Sequence, residues 1–442
     1  VIVKKLRKVG IIHMNNINFT QDNCKEESTS IWLAAVMQFG LKMRFFKHFE
    51  DFNLKMKKVK YSVYQKLITT MMSIVIGCRT TKDINERLSV EKLSANMFGM
   101  DTIPDQSQIN LLLTRFDSNS ILQLENIHHK LFIDNSNSIS THNSIVVDCD
   151  QTGLIANGKT FELAQKGYFS KRKNQSGYQL SAAFTGEHSE TVAMTLDSGS
   201  THCTDHYDDL LKSIISKYNE QIHNGNLILR TDSGFGSAKN VEKLLSIPNL
   251  KFVTKGYSTV KAKNLAKDIA YSEYDKADEA AWVYELPQIN KVRYIIVQTL
   301  SKRGNLKYSL LITNIIDKEM NAVEIFHFYN KRQTIEAFFK MAKNVYHIKN
   351  LRTSKFYGIY GFLWLVFITH NLISSFKFTI LHGTKLENIG VRVLVKSIGS
   401  IKAFVERTSR GINVNIPSMT RLSRLIADAL CGPRYIQLSF NI

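Results

Sequence analysis

Near Ser144 the apolar pattern of this chain changes its period. Upstream, the apolar residues recur at helical spacing. From Ile145 they alternate, with Ile145, Val147 and Cys149 on one side of a strand and Val146, Asp148 and Asp150 on the other. Such a strand must have its apolar face covered, and its two carboxylates must be solvated, paired with cations or bound to metal. The chain is therefore constrained to a sheet with a packed layer on one side and a charged site near the end of its first long strand.

The elements that follow fit one sheet. Strands are predicted over Tyr178–Thr185 and Thr191–Leu196, joined through Gly186-Glu187-His188-Ser189. A helix follows, with Leu210, Leu211, Ile214 and Ile215 on one stripe. The apolar run Leu227–Arg230 then ends in Thr231-Asp232-Ser233-Gly234, ahead of a helix over Ala238–Leu245 and a strand over Lys251–Thr254. Three antiparallel strands, helix, strand, helix, strand and a later helix is the element order of a ribonuclease-H-like α/β core. In that order Asp150 ends the first strand and Asp232 the fourth, and ligands of open α/β sheets gather at such carboxyl ends. Between 256 and 321 three more strands are predicted, Trp282–Leu286, Val292–Thr299 and Tyr308–Thr313. They read as a β-rich insertion before the last catalytic helix.

That helix is expected over Tyr329–Lys343. At about 100° per residue, Tyr329, Arg332, Glu336, Lys340 and Lys343 share an arc of about 80°, with Ile335, Phe338, Phe339 and Ala342 behind them. One carboxylate in a row of cations suits a metal ligand flanked by phosphate-holding groups; an ordinary amphipathic helix with a Glu336–Lys340 pair is the simpler alternative. Topology brings Asp150, Asp232 and Glu336 together as candidate catalytic and metal-binding residues. Oxygen-only ligation suits Mg²⁺, with Mn²⁺ also possible, and two ions about 4 Å apart can act on a phosphodiester. Tyr329, Arg332, Lys340 and Lys343 are the candidate DNA contacts on this helix. From the residues alone Asp148 competes with Asp150 as first ligand, because both share a face.

The remaining sequence sets the context. Of 442 residues, 58 are Lys or Arg and 38 Asp or Glu, a formal charge of +20 that favours a polyanionic partner. With 44% hydrophobic residues the chain can build a core and is not of the disordered class. Residues 1–140 read as a basic helical region for DNA-end binding or dimerisation, with a helix start at Pro104-Asp105-Gln106-Ser107. Residues 141–255 form the first part of the core, 256–321 the insertion, 322–378 the rest of the core, and 379–442 a basic helical end. Five widely spaced cysteines suit reduced thiols in a cytosol. Phe356–Phe376 contains no Lys, Arg, Asp or Glu, yet its Ser, His and Asn residues favour a buried core helix over a membrane span. No membrane partner is expected.

The spacing Tyr329-x2-Arg332-x3-Glu336-x6-Lys343 resembles the Tyr–Arg–Glu–Lys signature of a branch of DDE insertion-sequence transposases. Asp148-Cys149-Asp150-Gln151-Thr152 looks like that family's first Asp motif, and Leu229-Arg230-Thr231-Asp232-Ser233-Gly234-Phe235 like its second. The resemblance spans roughly residues 140–375. It carries the catalytic triad onto Asp150, Asp232 and Glu336, with the Asp-x-Thr pattern favouring Asp150 over Asp148. It also implies cutting at terminal inverted repeats and joining of 3′-hydroxyl ends to target DNA. Double-stranded DNA is the implied partner, with a homodimer in the DNA complex and a bacterial cytoplasmic setting. Within the loop between Gly167 and Tyr178, Lys171, Arg172 and Lys173 become candidate DNA contacts, and Trp282 a loose candidate for stacking on a displaced base. The rival expectations are a nuclease or resolvase of the same fold that cleaves without joining, and a catalytically idle DNA-binding derivative.

Overall fold

The computed structural model describes residues 27–432 apart from 58–59, 142, 157, 168, 170–173, 203–206, 289–290 and 410. β1 (Glu27–Ser30) leads into a helical layer of α1 (Ile31–Lys42), α2 (Val63–Val75), α3 (Lys92–Asn96), α4 (Gln106–Arg115) and α5 (Ser118–Asn135). The caps are local and specific. Ser62 and Gln65 form a reciprocal capping box at α2, and the Asp105 carboxylate accepts from the Ser107 and Gln108 amides at the start of α4.

The alternation beginning at Ile145 becomes β2 (Ile145–Ile155), followed by the two-residue β3 (Gln165–Lys166), β4 (Ser176–Thr185) and β5 (Glu190–Ser198). Then come α6 (Tyr207–Lys217), α7 (Asn219–His223), β6 (Leu227–Thr231), α8 (Ala238–Leu245), β7 (Lys251–Lys255) and α9 (Thr259–Leu265). The spatial order is β5-β4-β2-β6-β7, with β4 antiparallel to β2 and with β2, β6 and β7 parallel. Val147 and Cys149 face a cluster containing Leu210, Ile214 and Leu244. The opposite face of β4 packs on the later helices, with Phe184 stacked on Phe338 at 4.6 Å.

Beyond β7 lie β8 (Asp275–Asp278), β9 (Ala281–Glu285), β10 (Arg293–Leu300) and β11 (Leu306–Thr313). They extend the same sheet, because β11 pairs antiparallel with β7 through Leu311↔Lys255 and Thr313↔Val253. β8 has no sequence signal: Asp275-Lys276-Ala277-Asp278 lacks β-branched or aromatic residues and is a strand through pairing with β9 alone.

The helix expected over Tyr329–Lys343 is two helices, α10 (Ala322–Asn330) and α11 (Gln333–Asn344). The Phe328 carbonyl, which would accept from the Arg332 amide in a continuous helix, instead accepts from the Lys331 amide at 3.2 Å and from Arg230 Nη1 at 2.6 Å. The Arg332 amide moves to the Tyr329 carbonyl at 3.0 Å, a tighter turn. α12 (Phe356–Phe376) packs against α1, α2, α4, α5 and β5. It is long and apolar enough to cross a membrane, yet 83% of its apolar window is buried inside the protein.

The region 379–442, expected to be helical, also corrects the sequence reading. Between α13 (Val391–Lys396) and α14 (Arg421–Leu430) lie β12 (Lys402–Thr408) and β13 (Gly411–Asn415). β12 pairs with its neighbour β13 and, through Glu27↔Val405 and Ser30↔Lys402, with β1 nearly a chain length away. The N-terminal region likewise contributes a strand as well as helices.

α12 is tied to the sheet edge by Asn371, with Ser374 Oγ also donating to the Ser189 carbonyl at 2.6 Å. Asn371 Oδ1 accepts from the Thr191 amide at 2.8 Å, and Asn371 Nδ2 donates to the Thr191 carbonyl at 2.9 Å, as a neighbouring strand would. Thr191 is fully buried, so Asn371→Leu takes the side-chain partner from its amide, while its carbonyl keeps His128 Nε2 at 3.1 Å. The expected loss is about 1–3 kcal/mol of unfolding free energy, the cost of one unpaired buried group, read from urea denaturation.

Candidate active site

Asp148 and Asp150 leave β2 on one face and meet different environments. Asp148 is fully buried and receives a bidentate pair from Arg230, Nε to Oδ1 at 2.7 Å and Nη2 to Oδ2 at 2.9 Å. Thr334 Oγ1 donates to the same carboxylate at 2.7 Å. Arg230 sits directly opposite Asp148 in the parallel β2–β6 register and stacks 4.8 Å over the Phe328 ring. One ion pair thus joins β2, β6 and the α10–α11 junction. Gly186, in the β4–β5 turn, leaves room for this junction, since a Cβ there would stand 2.7 Å from Thr334.

Asp150, two residues on, is turned towards Arg332. Its Oδ1 accepts from the Gln151 amide at 2.8 Å, and its Oδ2 lies 3.0 Å from Arg332 Nη1. Asp232, just past β6, accepts from the Ser233 amide at 2.7 Å, and its Oδ1 stands 3.9 Å from Arg332 Nη2. Glu336 Oε1, one turn into α11, lies 3.0 Å from the same Nη2. A single guanidinium therefore reaches carboxylates from two strand ends and one helix.

The electrostatics follow from this arrangement. Burial raises the Asp150 pKa and Asp232 adds to the rise, while Arg332 opposes both. Burial also works against the Arg332 charge, but Asp150, Tyr329 and Asp232 outweigh it and hold the guanidinium charged. Arg332 Nε and Nη1 are buried without a hydrogen bond, so the Nη1–Asp150 contact is an ion pair at a poor hydrogen-bond angle. Lys343 donates to Thr152 Oγ1 at 2.6 Å and to the Gly153 carbonyl at 3.1 Å. Its pKa is lowered by burial, against the pull of Asp150.

Two clefts adjoin Arg332. One, of about 680 Å³, is lined by Asp150, Thr152, Asp232, Tyr257 and Lys343. The other, of about 510 Å³, is lined by Tyr329, Arg332, Glu336 and Lys340. Tyr329 belongs to α10 rather than to the Glu336 helix; its ring is buried and its hydroxyl has no partner. Lys340 is exposed, and Trp282 is half-buried beside Tyr271 on β9. Lys171, Arg172 and Lys173 lie outside the described residues. Among the described residues no three His, Cys, Asp or Glu side chains stand close enough to cage a metal as they are. The reason is local: the guanidinium occupies the point on which the carboxylates converge. As donor types, these carboxylate oxygens suit Mg²⁺ or Mn²⁺.

Arg230 was the residue that sequence reasoning passed over, and its signal was present. An arginine in the apolar run Leu227–Thr231 needs a buried anion, and Asp148 lies in the matching run of β2. Asp148→Ala is expected to cost about 3–5 kcal/mol because it strands a buried guanidinium. Asp150→Asn, at a partly solvated position, is expected to cost less. Denaturation of both variants in EDTA checks the order.

Comparisons with known proteins identify the family of the chain. The family model described as transposase DDE domain group 1 matches residues 29–432. No curated protein matches. Among solved structures, a piggyBac transposase synaptic complex with hairpin DNA is similar at 11% identity and a TM-score of 0.50, covering 95% of this chain and 88% of that one. A Mos1 transposase paired-end complex with left transposon end is matched at 12% identity over 47% of this chain and 65% of that one, with a TM-score of 0.18. With the family model spanning nearly the whole chain, this protein belongs to the DDE transposases.

Proposed function

We propose that this transposase uses Asp150, Asp232 and Glu336 to hold two divalent ions, cuts DNA at the terminal inverted repeats of an insertion sequence, and joins the 3′-hydroxyl ends to target DNA. The observation that carries this reading is the convergence of the three carboxylates on one guanidinium, from β2, the end of β6 and α11. The strand order β5-β4-β2-β6-β7 supports a ribonuclease-H-like core, to which β8–β11 add an inserted sheet extension.

Bound Mg²⁺ or Mn²⁺ supplies Lewis acidity towards a phosphodiester and its attacking oxygen. The protein's own residues do the rest. Arg332 releases the carboxylates and becomes available to a phosphate, for which its planar fork is suited. Lys343, held against Thr152 and Gly153 beside Asp150, keeps a positive charge next to the reacting group. Lys340 adds a solvated cation on the Glu336 side, and Tyr329 supports Arg332 from beneath, its ring centroid 6.0 Å from the guanidinium. Asp148 takes no part as a ligand, since Arg230 and Thr334 already use both of its oxygens. The functional assembly is read as a homodimer on paired ends of double-stranded DNA, in keeping with the synaptic complex in which the piggyBac protein was solved.

Asp150→Asn, Asp232→Asn and Glu336→Gln are each expected to abolish Mg²⁺-dependent cleavage and joining of duplexes that carry the sequences flanking the gene. Binding to the same duplexes in EDTA should hold or tighten, because each change removes negative charge near phosphates. Near-normal cleavage by any one of the three variants refutes that residue's assignment. Cleavage without joining, in the unsubstituted protein, reduces the function to that of a nuclease.

A further inference from the structure

α11 leads out of the active site into the loop 345–355, which packs on the turn after α2. Two contacts fasten it there. Arg352 Nη2 donates to the Cys78 carbonyl at 2.6 Å and Asn350 Nδ2 to the Arg79 carbonyl at 3.2 Å. The turn itself is braced by Arg87, which donates to the Ile76 and Gly77 carbonyls at 2.6 and 3.1 Å. We propose that this junction, with the end of α13, is a second binding surface for duplex DNA, gripping the phosphate backbone beyond the active site through Arg79, Lys349 and Lys396. The inference rests on the reading above and extends it to a surface that neither the triad nor its helix supplies.

The three cations are exposed, and among the described residues none has a carboxylate in ion-pair contact. The nearby acids are otherwise engaged. Asp83 accepts from the Arg79 amide at 2.6 Å and from Thr80 Oγ1 at 3.0 Å, and Glu86 pairs with Lys82 at 3.4 Å. Beneath the surface the imbalance continues. Arg352 Nε and Nη1 are buried without a partner, and burial takes its pKa down to about 10. His347 is buried in the loop with a left-handed backbone (φ 57°). Its pKa is pushed down to about 4, by burial and by the charges of Lys396, Arg352, Arg79 and Lys349. Four cations acting on one imidazole mark a locally positive field.

Packing alone does not account for that concentration. A loop docked by Asn350 and backbone contacts has no use for three exposed like charges, which repel one another. A polyanion of regular charge spacing relieves the repulsion and gains the release of its counterions. The surface is also continuous with the active site. Lys349 donates at 3.4 Å to Asn344, the last residue of α11 and the neighbour of Lys343, which bonds Thr152 on the Asp150 strand, so the junction adjoins the end of the helix that carries Glu336.

The test is duplex binding in EDTA at several salt concentrations, with random-sequence DNA, for the unsubstituted protein and for the triple variant Arg79→Gln, Lys349→Gln, Lys396→Gln. A control variant neutralises Lys302, Arg303 and Lys307, exposed around the β10–β11 turn. The triple variant should flatten the slope of log affinity against log salt by about three units, at about 0.9 for each phosphate no longer neutralised. The control should leave it within one unit, and both variants should keep the parent's unfolding midpoint and its Mn²⁺ binding at the carboxylates. Equal flattening by the control reduces the effect to net charge and overturns the proposal, as does an unchanged slope in the triple variant while the parent binds duplex. Failure of the parent to bind duplex at any salt sinks the transposase reading itself. Binding by the parent to vesicles of anionic lipid in preference to duplex, abolished only in the triple variant, would make the surface a membrane contact and also overturn it.

Discussion

The Asp148–Arg230 pair is the interaction on which the geometry of the site depends. Both groups are almost inaccessible to water, so their desolvation is costly and only a full set of partners makes the pair tolerable. That set is present: two bonds between fork and carboxylate, a third to the carboxylate from Thr334, and a fourth from Arg230 to the Phe328 carbonyl. Asp148, Arg230 and Thr334 lie on the segments that carry Asp150, Asp232 and Glu336, and Phe328 lies in α10 just ahead of α11. A pair of this kind contributes little net stability compared with apolar packing, but it fixes relative position. Sliding β6 by one residue against β2 would turn Arg230 to the other face and leave Asp148 unpaired in the core.

The same interaction decides why two carboxylates two residues apart have different tasks. Both point to the same side of β2, and nothing in the local pattern separates them. Asp148 lies one pleat deeper, against the arginine of the neighbouring strand, and both of its oxygens are consumed. Asp150 lies where the sheet face opens, and only one oxygen is held by backbone, through the Gln151 amide. The free oxygen is the one turned to Arg332. Depth along one strand, rather than residue type, separates structural anion from candidate ligand.

Much of the core was readable because its signals are local. Alternation in β2, the hairpin joining β4 and β5, the capped start of α4 and the apolar run before Asp232 each lie within about ten residues, the range over which periodicity is informative. What was not readable depends on distant partners. The break between α10 and α11 has neither Pro nor Gly to announce it, and the apolar stripe continues through Ile335 and Phe338; it arises because Arg230 captures the Phe328 carbonyl. β12 takes one of its two partners, β1, from the far end of the chain, while β8 was unreadable for another reason, because its composition is not that of a strand. At the site, the three carboxylates could be assembled from topology, but the role of Arg332 could not. On a helical wheel it is a cation beside Glu336, and only the fold shows it reaching Asp150 and Asp232 as well.

Arg332 also explains how three carboxylates can stand together. Three carboxylates brought together repel one another, and burial raises the cost at Asp150 in particular. A lysine in this position would be a point charge able to approach one or two of them. The planar guanidinium offers two terminal nitrogens, and Nη1 meets Asp150 while Nη2 meets Glu336 and approaches Asp232. The carboxylates are thus held together by one cation. The guanidinium is itself incompletely bonded, with Nε and Nη1 lacking hydrogen bonds, so a better anion can draw it away. On the proposed function a phosphate entering the cleft would be such an anion, and divalent metal would take over the charge compensation that Arg332 gives up. Arg332→Lys should therefore fail on both counts: a compact ammonium would hold the three acids less evenly and would offer an incoming phosphate one bond direction in place of a fork.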